Sequence, residues 1–159
     1  MKRNVWMAFI LAPFLFAGCG KTDTECVPAT VASEKAAMVA YCTANNITYT
    51  EHASGILYEV MSPGLGAQPA LTNTVSTVYT GKLLNNTQFD ASANPVSFLL
   101  SGVIKGWQIG VPKCRVGGTI KIIIPAGIAY GMRTRSKAIP PNSVLVFEIE
   151  VVKAEPAKS

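Results

Sequence analysis

Apolar and polar positions divide the chain into a leading apolar run, one helical stretch and a series of extended stretches. Residues 5–16 are mostly apolar and follow Lys2 and Arg3, while residues 19–25 are polar and read as a tether. Over 31–44, Val31, Met38, Tyr41 and several alanines form a stripe at helical spacing, with Pro28, Thr30 and Glu34 as start signals and Asn45-Asn46 as the stop. From residue 55 the period shortens. Residues 56–60 (ILYEV) read as a strand, 62–69 as a turn, and 75–84, rich in Thr, Val and Tyr, as a second strand ending at Asn85-Asn86. TIKIII lies between Gly118 and Pro125, and residues 145–152 alternate Leu145, Phe147, Ile149 and Val151 with the opposite face. The only helical candidate in this half is 103–111, which carries Trp107. The economical architecture is α+β: an antiparallel sheet wrapped around one short helix, preceded by a short N-terminal helix.

The leading run is an address. It is shorter than the about 20 apolar residues that cross a bilayer, Pro13 interrupts it, and it ends in the small residues Ala17 and Gly18, so residues 1–18 read as a secretory signal peptide. Phe16-Ala17-Gly18-Cys19 resembles the bacterial lipobox, which implies that Cys19 becomes a lipidated mature N-terminus; ordinary cleavage nearby, leaving a free thiol, is the alternative. Gly20 stands where an aspartate accompanies inner-membrane retention in enteric bacteria. The expected location is therefore the outer membrane, facing the periplasm, with the cell surface as the alternative. The expected organisation is signal peptide 1–18, tether and N-terminal helix 19–54, main domain 55–154 and tail 155–159.

Composition narrows the chemistry. With 159 residues, 49% hydrophobic and 14% charged, the chain buries one sizeable core. Its net charge of +5 is uneven, with two lysines against five carboxylates over 19–74 and nine Lys or Arg against three carboxylates over 75–154. Nucleic acid is not an expected partner of an exported chain. His52 is the sole histidine and no CxxC spacing occurs, which argues against zinc and leaves any Ser-His-Asp or Cys-His engine dependent on that one residue; His52 reads as a solvated residue before a strand. No phosphate-binding GxxxxGK[ST] is present, and Gly64-Leu65-Gly66 reads as a turn. No metal or cofactor is expected. In an oxidising compartment Cys26 and Cys42 are disulfide candidates, two free thiols being the alternative, and Cys114 reads as a buried inert thiol.

Four blocks in order, STVYTGKLLNNTQFDAS at 76–92, VIKGWQIGV at 103–111, VGGTIKIIIPAGIAYG at 116–131 and IPPNSVLVFEIEVV at 139–152, resemble FKBP-type peptidyl-prolyl cis-trans isomerases. The helix followed by GILYEV and GLGAQP is similar to exported bacterial members of the Mip-like type. The resemblance implies the FKBP-like fold and an isomerase that assists folding of exported proteins. It implies a pocket with Tyr79, Asp90, Tyr130 and Phe147 as catalytic residues, and Phe89, Val96, Val103, Ile104, Trp107 and Ile139 as substrate-binding residues, Trp107 forming the floor. Without it, Trp107, Phe147 and Tyr79 read as core and Asp90 as a turn residue. Val96 and Ala138 are smaller than the family's usual side chains. Arg133, Arg135 and Lys137 lie on the loop that overhangs the family's pocket, a cationic rim or simply a solvated loop. Implied partners are proline-containing polypeptides, macrolide inhibitors and the membrane through the lipid anchor. The short leader, with no room for a dimerising stalk, implies a monomer. The alternatives are a non-catalytic FKBP-fold chaperone or peptide-binding module, and a surface virulence factor.

Overall fold

The structure, a computed structural model, describes residues 31–133 and 137–157; the expected signal peptide, Cys19, Cys26 and Arg135 lie outside them. The first element is helix α1 (Val31–Ala44). It stops where the sequence says it should: Asn46 takes a left-handed conformation (φ 54°), the Ile47 N–H donates to the Cys42 carbonyl at 2.9 Å, and the Asn45 side-chain amide donates to the Tyr41 carbonyl at 2.8 Å.

Six antiparallel strands follow: β1 (Thr50–Glu51), β2 (Leu57–Ser62), β3 (Asn73–Leu83), β4 (Gln88–Leu99), β5 (Thr119–Ile124) and β6 (Leu145–Pro156). Their order across the sheet is β1-β2-β5-β6-β3-β4. Helix α2 (Lys105–Gly110) lies between β4 and β5 in sequence, flanked by 3₁₀ turns at Leu100–Gly102 and Val111–Lys113. This is the expected FKBP-like architecture. β6 runs past residue 154, with Glu155 opposite Thr74 and Pro156 opposite Asn73, so the expected tail begins inside the sheet.

β4 carries no strand signal in the sequence. QFDASANPVSFL lacks apolar alternation and contains Pro95, because β4 is an edge strand with most of its residues exposed. Its pairing with β3 shifts register between Thr77 and Tyr79, which accommodates the extra residues around Pro95.

The sheet buries both faces. On one, Ile120, Ile122, Ile124, Leu145, Phe147, Ile149 and Val151 pack with Trp107 and Val111. On the other, Leu57, Ile123, Val144 and Val146 meet Met38 and Cys42 of α1. TIKIII therefore reads as a continuous apolar run although β5 is antiparallel, since α1 covers Ile123 while α2 covers its neighbours. α2 comes close enough to the sheet that a Cβ on Gly106 would run into the Ile124 side chain. Cys42 is fully buried and has no disulfide partner among the described residues. Because Cys26 lies outside the described residues, its pairing with Cys42 stays an expectation. Cys114 likewise has no disulfide partner among the described residues and is 1% exposed, and burial pushes its thiol pKa up, as suits an inert thiol.

Candidate functional site

Where β3, β4, β6 and α2 converge, a cavity of about 260 Å³ is lined by Tyr79, Asp90, Phe98, Gly102, Val103, Ile104, Trp107, Tyr130 and Phe147. Trp107 is its base. The indole is 5% exposed, and the rings of Phe147, Tyr79 and Phe98 stand nearly perpendicular to it, at centroid distances of 5.3, 5.4 and 5.8 Å. Such edge-to-face packing gives each ring a fixed orientation as well as apolar contact. Phe147 and Phe89 cross at 5.5 Å over Gly81, where a Cβ would sit 2.7 Å from the Phe89 ring and 2.8 Å from that of Phe147.

Only a few polar groups enter this apolar bowl. The Tyr79 hydroxyl donates to Asp90 Oδ2 at 2.9 Å, joining neighbouring strands across the rim. Burial first, and the Asp90 carboxylate second, push the Tyr79 pKa up to about 12, so the phenol keeps its proton at neutral pH. At α2 the Ile104 carbonyl accepts the N–H groups of Trp107 (3.0 Å) and Gln108 (3.2 Å). The Gln108 amide donates back to the carbonyls of Val103 (2.7 Å) and Ser101 (3.0 Å), holding the turn before the helix against it. Gln108 is a supporting residue that sequence reasoning missed.

Of the expected site residues, Tyr79, Asp90, Tyr130, Phe147, Val103, Ile104 and Trp107 come together on this cavity. Phe89, Val96 and Ile139 do not line it. Phe89 backs Phe147, Ile139 is buried in the core at 6% exposure, and Val96 is 37% exposed on the edge strand. Phe98 takes the wall position in their stead. Phe98 stands two residues beyond Val96 on the same strand face, immediately ahead of the block that carries Trp107, and no local signal separates the two. His52 is elsewhere, its Nδ1 accepting the Ser54 N–H at 3.1 Å in the turn before β2. Ala138, Arg133 and Lys137 are exposed.

The sequence profile of the family described as FKBP-type peptidyl-prolyl cis-trans isomerase matches residues 66–152. The chain belongs to that family. This FKBP-type chain is 41% identical over 108 residues to the isomerase FkpA of Escherichia coli, a match covering 66% of this chain and 40% of that protein. It is 36% identical over 107 residues to the outer membrane protein MIP of Legionella longbeachae, covering 65% and 46%. The chain thus spans less than half the length of these two relatives. Among solved structures, the crystal structure of FkpA from Escherichia coli superposes with a TM-score of 0.70 at 35% identity, covering 80% of this chain and 62% of that one. An isomerase from Pseudomonas syringae pv. tomato superposes at 0.65 and 33% identity, covering 80% and 99%. The FKBP-type match begins at residue 66, so α1 and β2 lie ahead of it, yet both pack on the sheet that holds the cavity.

Proposed function

We propose that this chain is a peptidyl-prolyl cis-trans isomerase acting on exported proteins in the bacterial envelope. The observation that carries the reading is the apolar bowl of crossed rings with one paired tyrosine and carboxylate at its rim. Rotation about an X-Pro bond is slow because amide resonance opposes it, with a barrier of about 18–20 kcal/mol. The planar amide is more dipolar than the twisted one. A dry aromatic site therefore destabilises the planar ground state relative to the twisted form, and no nucleophile, metal or proton transfer is required.

In this reading the proline ring sits on Trp107 between Tyr79, Phe98 and Phe147. Tyr130 donates its hydroxyl to a substrate carbonyl, the Ile104 N–H holds the residue after proline, and Asp90 holds Tyr79 while facing the twisting carbonyl. Phe89 and Ile139 act from behind the wall, and Val96 at its outer edge. Macrolides that imitate a twisted prolyl amide are candidate inhibitors. Residues 1–18 act as a signal peptide, Cys19 carries lipid, and the domain works as a monomer tethered to the outer membrane.

The deciding experiment is NMR exchange or a protease-coupled assay on Ala-X-Pro-Phe peptides. Wild type should accelerate isomerisation, Asp90→Asn should lose much of the rate while staying folded, and Phe147→Ala should lose rate together with about 3–5 kcal/mol of stability. No acceleration by the folded wild type would overturn the isomerase reading in favour of a non-catalytic chaperone, peptide-binding module or surface virulence factor. For the anchor, fatty-acid label should enter wild type and not Cys19→Ser.

A further inference from the structure

The segment that presents Tyr130 to the cavity is anchored at its outer end, where the Gly131 carbonyl accepts the Asn142 N–H at 2.8 Å, and at its root by Ala126, which is fully buried just after β5. Its carbonyl accepts the N–H groups of Ala129 at 3.0 Å and Gly131 at 2.8 Å, the residues on either side of Tyr130. Its own N–H donates to Glu34, whose Oε2 and Oε1 lie at 3.0 and 3.3 Å. Both peptide planes that meet at Ala126 are therefore held, one by the turn and the other by a side chain from α1, 92 residues away in sequence.

Glu34 is the only charged residue in the buried set among the described residues, at 8% exposure. It stands on the same stripe as Met38 and Cys42, which cover Leu57, Ile123 and Val146. An apolar residue would serve that stripe without the penalty of burying a carboxyl group. The first turn of a helix lessens this penalty, since its positive end favours an anion, but does not abolish it. What the carboxyl group adds is an acceptor for one buried N–H, at the root of the turn that carries a cavity residue.

We propose that Glu34 is a positioning residue of the isomerase site: by holding the Ala126 N–H it sets the turn that places Tyr130 at the cavity wall. The inference rests on the isomerase reading above. It makes α1 part of the working enzyme although the helix precedes the family match and lines no part of the cavity.

The test uses the full chain with Glu34→Met, which keeps length and bulk but offers no strong acceptor, and Glu34→Gln, which retains an acceptor oxygen. In Glu34→Met, kcat/KM for a Leu-Pro peptide should fall about tenfold, within the ~100-fold that a displaced group of about 1 Å can cost. The amides of Ala126, Ala129 and Gly131 should exchange faster, and the Tyr130 ring signals should move. Glu34→Gln should restore all three readouts. A folded Glu34→Met with wild-type kcat/KM and unmoved Tyr130 signals would overturn the proposal, as would Glu34→Gln failing as badly as Met. Should Glu34→Met not fold, Glu34→Asp withdraws the acceptor by one methylene and is judged by the same criteria. If wild type proves inactive, the isomerase reading fails, and the amide exchange and Tyr130 signals alone decide whether Glu34 sets the turn.

Discussion

Thr77 places a hydroxyl in the middle of β3 with no exposure, and among the described residues its Oγ1 has no hydrogen-bond partner. A buried unpaired hydroxyl is destabilising, whereas valine has nearly the same shape without it. Thr77→Val should raise stability by about 1 kcal/mol, seen as a higher urea midpoint with an unchanged slope. A lower midpoint would mean that the hydroxyl is satisfied. Two strand positions on, Tyr79 shows a polar group that is paired. Its folded pKa of about 12 lies above the ordinary 10, so its contribution is complete below pH 10 and is lost as pH rises through about 12. Single residues were unequally legible in the sequence. Trp107, Tyr79 and Phe147 stand inside dense motifs, whereas Phe98 and Val96 alternate on a strand the sequence hides, and nothing local says which of them reaches the cavity.

At the scale of elements, α1 and its end at Ala44 were legible because its apolar period and its Asn-Asn stop are local signals. Its purpose was not. Glu34 reads as an ordinary first-turn acid, and its contact with Ala126 depends on how the sheet folds across it. Desolvation raises the Glu34 pKa above 4.5, and the Ala126 N–H only partly offsets that. The folded state thus holds the proton more tightly than the unfolded chain, so this contribution is present below about pH 4.5 and is lost as pH rises through the folded pKa. Glu34→Gln, which cannot ionise, should gain stability relative to wild type as pH is raised through that window in a series of denaturant titrations. A gap between the two that is constant with pH would contradict the assignment. β4 was illegible for the opposite reason, since an exposed edge strand carries no apolar alternation to read.

For the whole molecule, the sheet and inner helix could be read because four motif blocks supply most of the face that surrounds Trp107. The second face could not, because residues 34, 38 and 42 give no sign of where their stripe docks. The arrangement also separates the sole histidine from the cavity. If desolvation and orientation lower the barrier, kcat/KM should vary little between about pH 6 and 8, and His52→Ala should leave it unchanged. A rate that follows a single ionisation near neutrality would show that acid-base chemistry takes part. Finally, the position of β6 governs when the protein can exist at all. The last described strand lies between β5 and β3, pairing with β3 along nearly its whole length and with β5 over residues 145–150. Strands made earlier have no continuous sheet to join until it arrives, and α1, the first described element to be synthesised, has no complete surface on which to settle. If the chain is exported as proposed, residues 31–156 must leave the pore almost entirely before any of these pieces becomes stable. Until then the isoleucines of β5 lie uncovered and prone to associate, so that the folding helper proposed above would itself need protection during its own synthesis.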